Sequence, residues 1–364
     1  MSFNLQLSAQ SLSYSGTNSF NITSPSHLNA NIIPSLERTP TGMSYGDNGN
    51  KFYLVGAIGD AVVQYTLSTA YDFSTRGPVE AYFRVNGEES AAQDVDFNDD
   101  GTRMYILGQA GDDVTEYSLS TAWDVSTATF TDIFDARTAI ENLLGATNGD
   151  LLTGMAFNDD GSKLYIADRR SDDVFEFDLS TNYDVSTAGA VINNMPITGE
   201  GNVRSITFNN DGTALYAIGT SGDDVNTYPL STPYDLSSVG TSSNNALTTP
   251  DTSPQAMILS NDGTTFYVAG NGDDVIKEYS LSVAFDFSST ITLVQTNGFP
   301  AVEITPHGMT FNSDGTKLFV LGTQLDAVSE ISLSTPYDIS TGTYTTGLYV
   351  NNEEGNVRGL AFNN

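Results

Sequence analysis

The chain has 364 residues, and its 45 acidic against 13 basic side chains give a formal net charge of −32. Nucleic acids and anionic membranes attract proteins through Lys and Arg, so this charge predicts no nucleic-acid partner and no membrane insertion. The chain has no cysteine, which excludes disulfides and thiolate chemistry, and its two histidines are too few for a multi-histidine metal centre.

Hydropathy and the first residues bear on where the protein resides. Apolar runs are all far shorter than the roughly 18 residues of a transmembrane helix. The opening MSFNLQLSAQSLSYSG lacks the charged and apolar regions of a secretory signal. We therefore expect either a chain that is not exported by that route or a trimmed one.

A sequence repeat organises the whole chain. In its clearest copies, FNDDGTRMYILG and FNDDGSKLYIAD, an apolar residue precedes a turn and a strand-like run. The apolar residues of successive copies are separated by 51, 52 or 60 residues, namely Tyr45, Phe97, Phe157, Phe208, Leu259, Phe311 and Phe362. A fixed period near 50 is typical of four-stranded propeller blades.

Each copy reads as four strands in chain order. A short apolar strand ends at the repeated residue, and an Asn-Asp-Asp-Gly turn leads to a strand of β-branched and aromatic residues such as 163–167. A Ser-Asp-Asp turn precedes a third strand, for example 174–179. A Ser-Thr-x-aromatic-Asp loop then precedes a looser fourth strand, for example 129–134. The fold class is therefore all-β, a propeller of four-stranded antiparallel blades.

We expect one domain over 1–364, with repeats starting near 42, 94, 154, 205, 256 and 308. Residues 359–364 would form the opening strand of a closing blade, and 1–41 an N-terminal closing segment in which 4–8 and 19–22 supply its third and fourth strands. Seven blades closed by both chain ends would leave no free sheet edge. Six blades are the alternative, which gives 359–364 no role.

Regularly placed aspartates and glycines are interpreted as structural turn residues. Glycine supplies positive φ, and aspartate accepts backbone N–H bonds. These positions are Asp112, Asp172, Asp223, Asp274, Gly101, Gly161, Gly212, Gly263 and Gly315. Adjacent Asp-Asp pairs also suit Ca²⁺, but one pair per blade cannot converge on one ion. We therefore expect no cofactor, with Ca²⁺ as the exception to test.

The residue four positions before each repeated apolar residue would lie at the mouth of the central channel. All seven are polar: Thr41, Gln93, Thr153, Arg204, Gln255, His307 and Arg358. They would form a ligand-binding ring in which the cationic members suit a carboxylate or phosphate. The alternative is that a water-filled mouth is polar in any case.

The loops around this mouth vary from copy to copy. Residues 134–153 form an insertion with an expected short helix over 137–144, and Glu200, Glu303 and Glu353 could lean in from loops. Loops on a rigid scaffold are where binding usually lies. The familiar motifs of nucleophilic catalysis and of dinucleotide binding are absent from the sequence, so no catalytic residue is assigned.

The pattern F-N-x-D-G-T-K-L-Y-V…G-D-D-V-x-E-Y resembles the repeat of the YVTN and NHL propeller families over about residues 42–364. The Ser-Thr-x-aromatic-Asp extension is more loosely similar to repeat propellers of marine bacteria and their phages. The resemblance implies the propeller fold and leaves the activity open.

From these observations we expect a non-enzymatic structural or adhesive propeller on a larger assembly, foremost a phage virion or another extracellular surface. Its partners would be other structural proteins or surface glycans, and it could be an oligomer or an assembly subunit. One alternative is a lactonase- or lyase-type enzyme that uses the channel-mouth ring with a divalent cation. A second alternative is an intracellular protein-interaction scaffold.

Overall fold

A computed structural model describes residues 4–6, 40–56, 61–85, 87–88, 91–145, 152–168, 171–198, 203–220, 224–247, 250–298, 306–322 and 327–349. Six antiparallel sheets follow one another along the chain, and each contains four consecutive strands in sequence order. The predicted all-β propeller of four-stranded blades is thereby confirmed. Within the described ranges, no helix has the length and apolarity that crossing a membrane requires.

In each blade the first strand lies nearest the central channel and the fourth strand is outermost. A short strand precedes the blades, and a helix follows the second blade. The first three blades contain β2 (Pro40–Gly46), β3 (Lys51–Gly56), β4 (Ala61–Leu67) and β5 (Arg76–Arg84); β6 (Ala92–Phe97), β7 (Arg103–Gly108), β8 (Val114–Leu119) and β9 (Ala128–Phe134); β10 (Leu152–Phe157), β11 (Lys163–Asp168), β12 (Asp173–Asp178) and β13 (Asn193–Pro196).

The other three blades follow the same plan. Their strands are β14 (Val203–Phe208), β15 (Ala214–Gly219), β16 (Asp224–Pro229) and β17 (Ser243–Ala246); β18 (Pro254–Leu259), β19 (Thr265–Gly270), β20 (Val275–Leu281) and β21 (Ile291–Asn297); β22 (Pro306–Phe311), β23 (Lys317–Gly322), β24 (Ala327–Leu333) and β25 (Gly342–Tyr349). The strand β1 is Asn4–Gln6, and the helix α1 is Ala136–Leu144, one residue longer than expected.

The Ser-Thr-x-aromatic-Asp loop folds back onto the first turn of its own blade. In the third blade, the Tyr183 amide donates to the Gly161 carbonyl at 2.7 Å, and a Cβ on Gly161 would lie 2.2 Å from the Tyr183 ring. The aromatic residue adopts positive φ in all six copies. The following aspartate accepts the amide two residues later, as in Ser186 N to Asp184 Oδ1 at 3.2 Å. The repeated loop, 180–184 in the third blade, is therefore structural, and this clasp holds its aromatic residue (the clasp aromatic) against the first turn of the blade.

Tyrosine hydroxyls join each of the first five blades to the next. The second-strand tyrosine donates to the carbonyl of the following blade's clasp aromatic. The pairs are Tyr53 to Trp123 at 2.8 Å, Tyr105 to Tyr183 at 2.5 Å, Tyr216 to Phe285 at 2.6 Å, Tyr165 to Tyr234, and Tyr267 to Tyr337. This contact accounts for the tyrosine in the Leu-Tyr-Val signature.

A third-strand side chain forms a second bond to the next blade. It accepts the amide of the residue two positions beyond the clasp aromatic. The pairs are Gln64 with Val125, Glu116 with Val185, Glu176 with Leu236, Glu278 with Ile339, and Glu330 with Phe73. In the fourth blade the equivalent residue is Thr227, whose hydroxyl accepts a bond from Asn245 instead.

The last of these bonds closes the ring after six blades. Glu330 of the sixth blade accepts the Phe73 amide of the first at 2.7 Å, and Lys317 lies 3.3 Å from Asp72. Phe319 packs in one apolar cluster with first-blade residues, its ring 5.2 Å from that of Phe73. The described chain therefore adopts the six-bladed alternative, and residues 359–364 lie outside it.

The N-terminal strand lies elsewhere than expected. β1 pairs antiparallel with β14, with Leu5 opposite Ile206, and it also contacts β10. It therefore covers the inner edge of the fourth blade rather than contributing a third strand to a closing blade. Residues 7–39, including 19–22, are outside the described chain.

The closing interface lacks one hydrogen bond of the repeat. Phe319 stands where the other five blades have tyrosine, so this strand position has no hydroxyl to donate to the Tyr71 carbonyl. We expect Phe319→Tyr to raise the free energy of unfolding by about 1 kcal/mol, the usual net value of one hydrogen bond. Tyr216→Phe, which deletes the same bond at another interface, should lower it by a similar amount. Urea denaturation of both variants would measure this, and a destabilised Phe319→Tyr would contradict it.

Candidate functional site

The predicted channel-mouth residues share one structural feature. In all six blades, the register between the first and second strands shifts by one residue at that position, for example between Ala92 and Asp94. The bulge residues are Thr41, Gln93, Thr153, Arg204, Gln255 and His307. Bulges release a residue from the ladder and re-aim its side chain, and they occur often beside active sites. The innermost strands thus carry a ring of six bulges at one level.

Two glutamines of this bulge ring are held in the same way. Gln93 and Gln255 are buried, and each donates from Nε2 to the carbonyl two residues earlier, at 3.2 Å in both cases. Gln255 also donates to the Ser253 hydroxyl at 3.1 Å. Such local bonds fix the amide orientation, so these two positions are pre-organised hydrogen-bonding groups at the mouth.

The loop that precedes Gln255 is itself rigidly built. Asp251 is 1% exposed and accepts the amides of Ser253, Gly272 and Asp273 at 2.8–3.1 Å. The buried Lys277 ammonium donates to the Pro250 carbonyl at 3.0 Å and pairs with Asp273. The carboxylate and the ammonium are satisfied within the loop, and they act as its support rather than as reactive groups.

The other residues of the bulge ring are known mainly by their positions in the innermost strands. Arg204 is partly exposed in β14 and is the cation of the described bulge ring. Thr41, Thr153 and His307 lie at the same strand level, but their side chains are outside what the structure describes. Arg358 is outside the described residues. The ring expected from the sequence is therefore described as a backbone feature in six blades and as side chains in three.

The turn aspartates lie at the same end of each blade, between the second and third strands. Asp112, Asp172 and Asp274 all adopt left-handed φ, between 51° and 56°, and Asp223 is outside the described residues. Asp112 is nearly fully buried and binds Arg137 of α1, whose Nε lies 2.9 Å from Oδ2. In the second blade the turn aspartate thus fixes the insertion helix beside the mouth. The turn glycines all have positive φ: Gly101, Gly161, Gly212, Gly263 and Gly315.

A metal site is not evident in the part of the chain that the structure describes. There, His, Asp and Glu side chains form no group of three or more that could hold an ion. The possible Ca²⁺ stays a prediction.

Asp94, one residue beyond the bulge in β6, was not singled out from the sequence. Its Oδ2 accepts the Met155 amide of the neighbouring β10 at 3.3 Å, and its Oδ1 accepts the Val95 amide at 3.0 Å. On the other side, Gly42 of β2 approaches so closely that a Cβ there would lie 2.7 Å from the Asp94 Cα. Asp94 therefore lies where the innermost strands of three blades meet.

The protonation of Asp94 follows from this position. Burial and the negative charge of Asp96, two residues along the same strand, raise the pKa of its carboxyl to about 8. The Asp94 carboxyl is therefore mostly protonated at neutral pH, although the pKa of a free aspartate is near 4. Beside the mouth ring, the protonated Asp94 carboxyl can donate a proton and its ionised form can accept one.

Part of the chain is similar to a known protein family. The model of the family described as "Lactonase, 7-bladed beta-propeller" matches residues 155–335, just under half of the chain. The match runs from β10 to β24, so Arg204, Gln255 and His307 lie inside it and Gln93 and Asp94 lie before it. No curated protein matches the sequence.

Solved structures with the same architecture include the periplasmic gluconolactonase of Pseudomonas aeruginosa, with 15% identity, a TM-score of 0.57 and 85% of both chains covered. A protein of Bacteroides uniformis described as a candidate 6-phosphogluconolactonase has 15% identity and a TM-score of 0.58 over 84% of this chain and 83% of its own. A functionally unknown protein of Desulfotomaculum acetoxidans has 15% identity and a TM-score of 0.55 over 86% of this chain and 89% of its own. At these identities the likeness shows the fold alone.

The family match corrects two expectations. It contradicts a non-enzymatic structural or adhesive virion protein, and it contradicts the absence of enzymatic activity; the lactonase-type alternative agrees with it better. The first expectation was wrong because a regular repeat without a known motif was interpreted as purely structural. The match supports neither the YVTN and NHL assignment nor the phage resemblance beyond the propeller fold. Partners and location stay predictions.

Proposed function

We propose that this protein is a lactonase, a hydrolase that opens a cyclic ester at the bulge ring of the channel mouth. The observation that carries the proposal is the match of residues 155–335 to the lactonase family. The proposal also agrees with the site, because a mouth that carries glutamine and arginine suits a hydroxylated, polar ring better than an apolar acyl chain.

The described side chains provide groups for ester hydrolysis. When water attacks the ester carbonyl, negative charge develops on its oxygen, and fixed donors aimed at that oxygen stabilise the transition state. Arg204 is the charged donor of the described ring. The amides of Gln93 and Gln255 have fixed orientations, which suits them to the ring hydroxyls of the substrate.

The test is hydrolysis of a panel of five- and six-membered sugar lactones, with and without a phosphate group, followed by proton release in a pH-stat. Rates are corrected for spontaneous opening and measured with EDTA and with added Ca²⁺, Mg²⁺ or Mn²⁺. We expect a rate above background for at least one sugar lactone. Background rates across the panel under all metal conditions would refute the proposal.

A variant pair tests the location of the site. Loss of an oxyanion donor lowers kcat about 100-fold or more, so Arg204→Ala should lower kcat/KM by about that factor. Arg84→Ala is the matched control, because Arg84 is exposed on the outermost strand β5 of the first blade. Equal rates for the two variants would place the site elsewhere.

A further inference from the structure

Asp94 breaks the repeat at a position that otherwise carries small residues. The equivalent residues of the other described blades are Gly42, Gly154, Ser205, Ala256 and Gly308. Small residues let neighbouring innermost strands approach each other. A Cβ added to Gly42, for example, would lie only 2.7 Å from the Asp94 Cα. A carboxyl at this crowded level has a cost in desolvation, so its presence needs a reason other than the fold.

Three buried acids of the blades have structural roles, and the half-buried Asp94 differs from them. Glu116, Glu176 and Glu330 each pair with a Lys or Arg from the second strand of their own blade. Each also accepts an amide of the next blade. Removing the charge partner of a buried acid is costly, which explains why these pairs occur together.

The described groups around Asp94 offer it no cation. The flanking strands β2 and β10 contain no charged residue, and Tyr45 of β2 is buried in the apolar cluster between the sixth and first blades. On β3, which also contacts β6, Lys51 binds Glu80 and the Tyr53 hydroxyl donates to the Trp123 carbonyl. On β7, Arg103 binds Glu116 and the Tyr105 hydroxyl donates to Tyr183. On β6 itself the charged neighbour is Asp96. Carboxyls that lack a counter-charge beside a mouth are candidates for proton transfer.

We propose that Asp94 is the proton-transferring residue of the site, and that Asp96, two residues along the same strand, is a positioning residue that acts through it. The inference rests on the proposed lactone hydrolysis. The ionised Asp94 takes a proton from water as the water oxygen bonds to the ester carbonyl carbon. The ring C–O bond of the tetrahedral intermediate then breaks, and Asp94 returns that proton to the leaving alkoxide. Lactone and water become one hydroxy acid, and Asp94 is regenerated.

Kinetics of Asp94→Asn test this role on a lactone that the wild type opens. General-base catalysis contributes about 100-fold or more, so kcat should fall by at least that factor. Asp132→Asn is the matched control, since it removes one charge from β9, the outermost strand of the same blade. An Asp94→Asn variant as active as the control would overturn the inference and leave the lactonase proposal intact. A wild type that opens no lactone would overturn both.

The pH profile provides a readout that a merely structural role would not change. Wild-type kcat/KM should rise with pH to an inflection near pH 8, where Asp94 ionises. Asp96→Asn removes the repelling charge, so its inflection should move to lower pH by about one unit. An unmoved inflection, or an activity that falls through pH 8, would overturn the assignment.

Stability offers a second measurement that does not depend on activity. A carboxyl whose pKa is raised on folding stabilises the protein fully below the pKa of the unfolded chain, and that contribution is lost as pH rises through about 8. The wild-type Tm should therefore fall more between pH 6 and pH 9 than the Tm of Asp94→Asn. Parallel changes in the two proteins would show that Asp94 is not the protonated group.

Discussion

Replacing Glu176 by alanine is expected to lower the free energy of unfolding by about 3–5 kcal/mol, the usual cost of breaking a buried charge pair. The Glu176 carboxylate is fully buried, pairs with Lys163, and accepts the Leu236 amide of the fourth blade at 2.7 Å. Burial raises the pKa of this carboxyl, and the bonds from Lys163 and Leu236 oppose the rise. Its removal leaves the buried Leu236 amide without its acceptor and leaves the Lys163 ammonium with only the exposed Asp178 as a partner.

Asp178 on the same strand provides the matched control. It lies 3.1 Å from the same Lys163 ammonium, but its side chain is 59% exposed. Exposed ion pairs contribute at most about 1 kcal/mol, so Asp178→Ala should have a small effect. Urea unfolding of both variants measures the contrast. Equal losses would mean that Glu176 acts only as a charge for Lys163 and does not join the blades.

Gly161→Ala is expected to destabilise the protein by about 2–5 kcal/mol. One part, about 1–2 kcal/mol, is the cost of placing a side chain at the left-handed φ of 67°. The other part is overpacking, usually about 1–3 kcal/mol, because the new methyl group would lie 2.2 Å from the Tyr183 ring. The Tyr183 side chain would have to move away from the turn that it covers.

Substitutions at two other glycines distinguish the backbone cost from the overpacking cost. Gly145, at the end of α1, also has a φ of 67°, but an added methyl group there would meet no atom within 4 Å, so Gly145→Ala should show only the backbone cost. Gly189 has neither the positive φ nor a close neighbour, and Gly189→Ala should change stability little. Thermal unfolding of the three variants should rank them in this order. If Gly161→Ala and Gly145→Ala lose the same stability, the clasp contributes nothing.

The repeat predicted the blades because the chemistry of each strand and turn is local. An Asn-Asp-Asp-Gly turn, an alternating strand and an aromatic-Asp loop imply their conformations without knowledge of the rest of the chain. The number of blades, in contrast, depends on contacts between parts of the chain that are distant in sequence. A seventh partial copy at 359–364 suggested seven blades, whereas contact between Glu330 and Phe73 closes the described ring at six.

The ring of mouth residues was predictable for the same reason, since each occupies one position of the repeat. The bulge at this position was not predicted, because bulges depend on pairing with the second strand. Asp94 was missed although the sequence contained a signal, an aspartate in a column of Gly, Ser and Ala. Only the approach of β2 and β10 shows that this aspartate lacks a counter-charge.

The bonds that join successive blades differ greatly in the length of chain they enclose. Glu116 and Val185 are 69 residues apart and Glu176 and Leu236 are 60 apart, but Phe73 and Glu330 are 257 apart. Closing a longer loop costs more entropy, and contacts distant in sequence form slowly. The first and sixth blades should therefore dock last during folding and separate first during unfolding, which makes this seam the place where the ring opens.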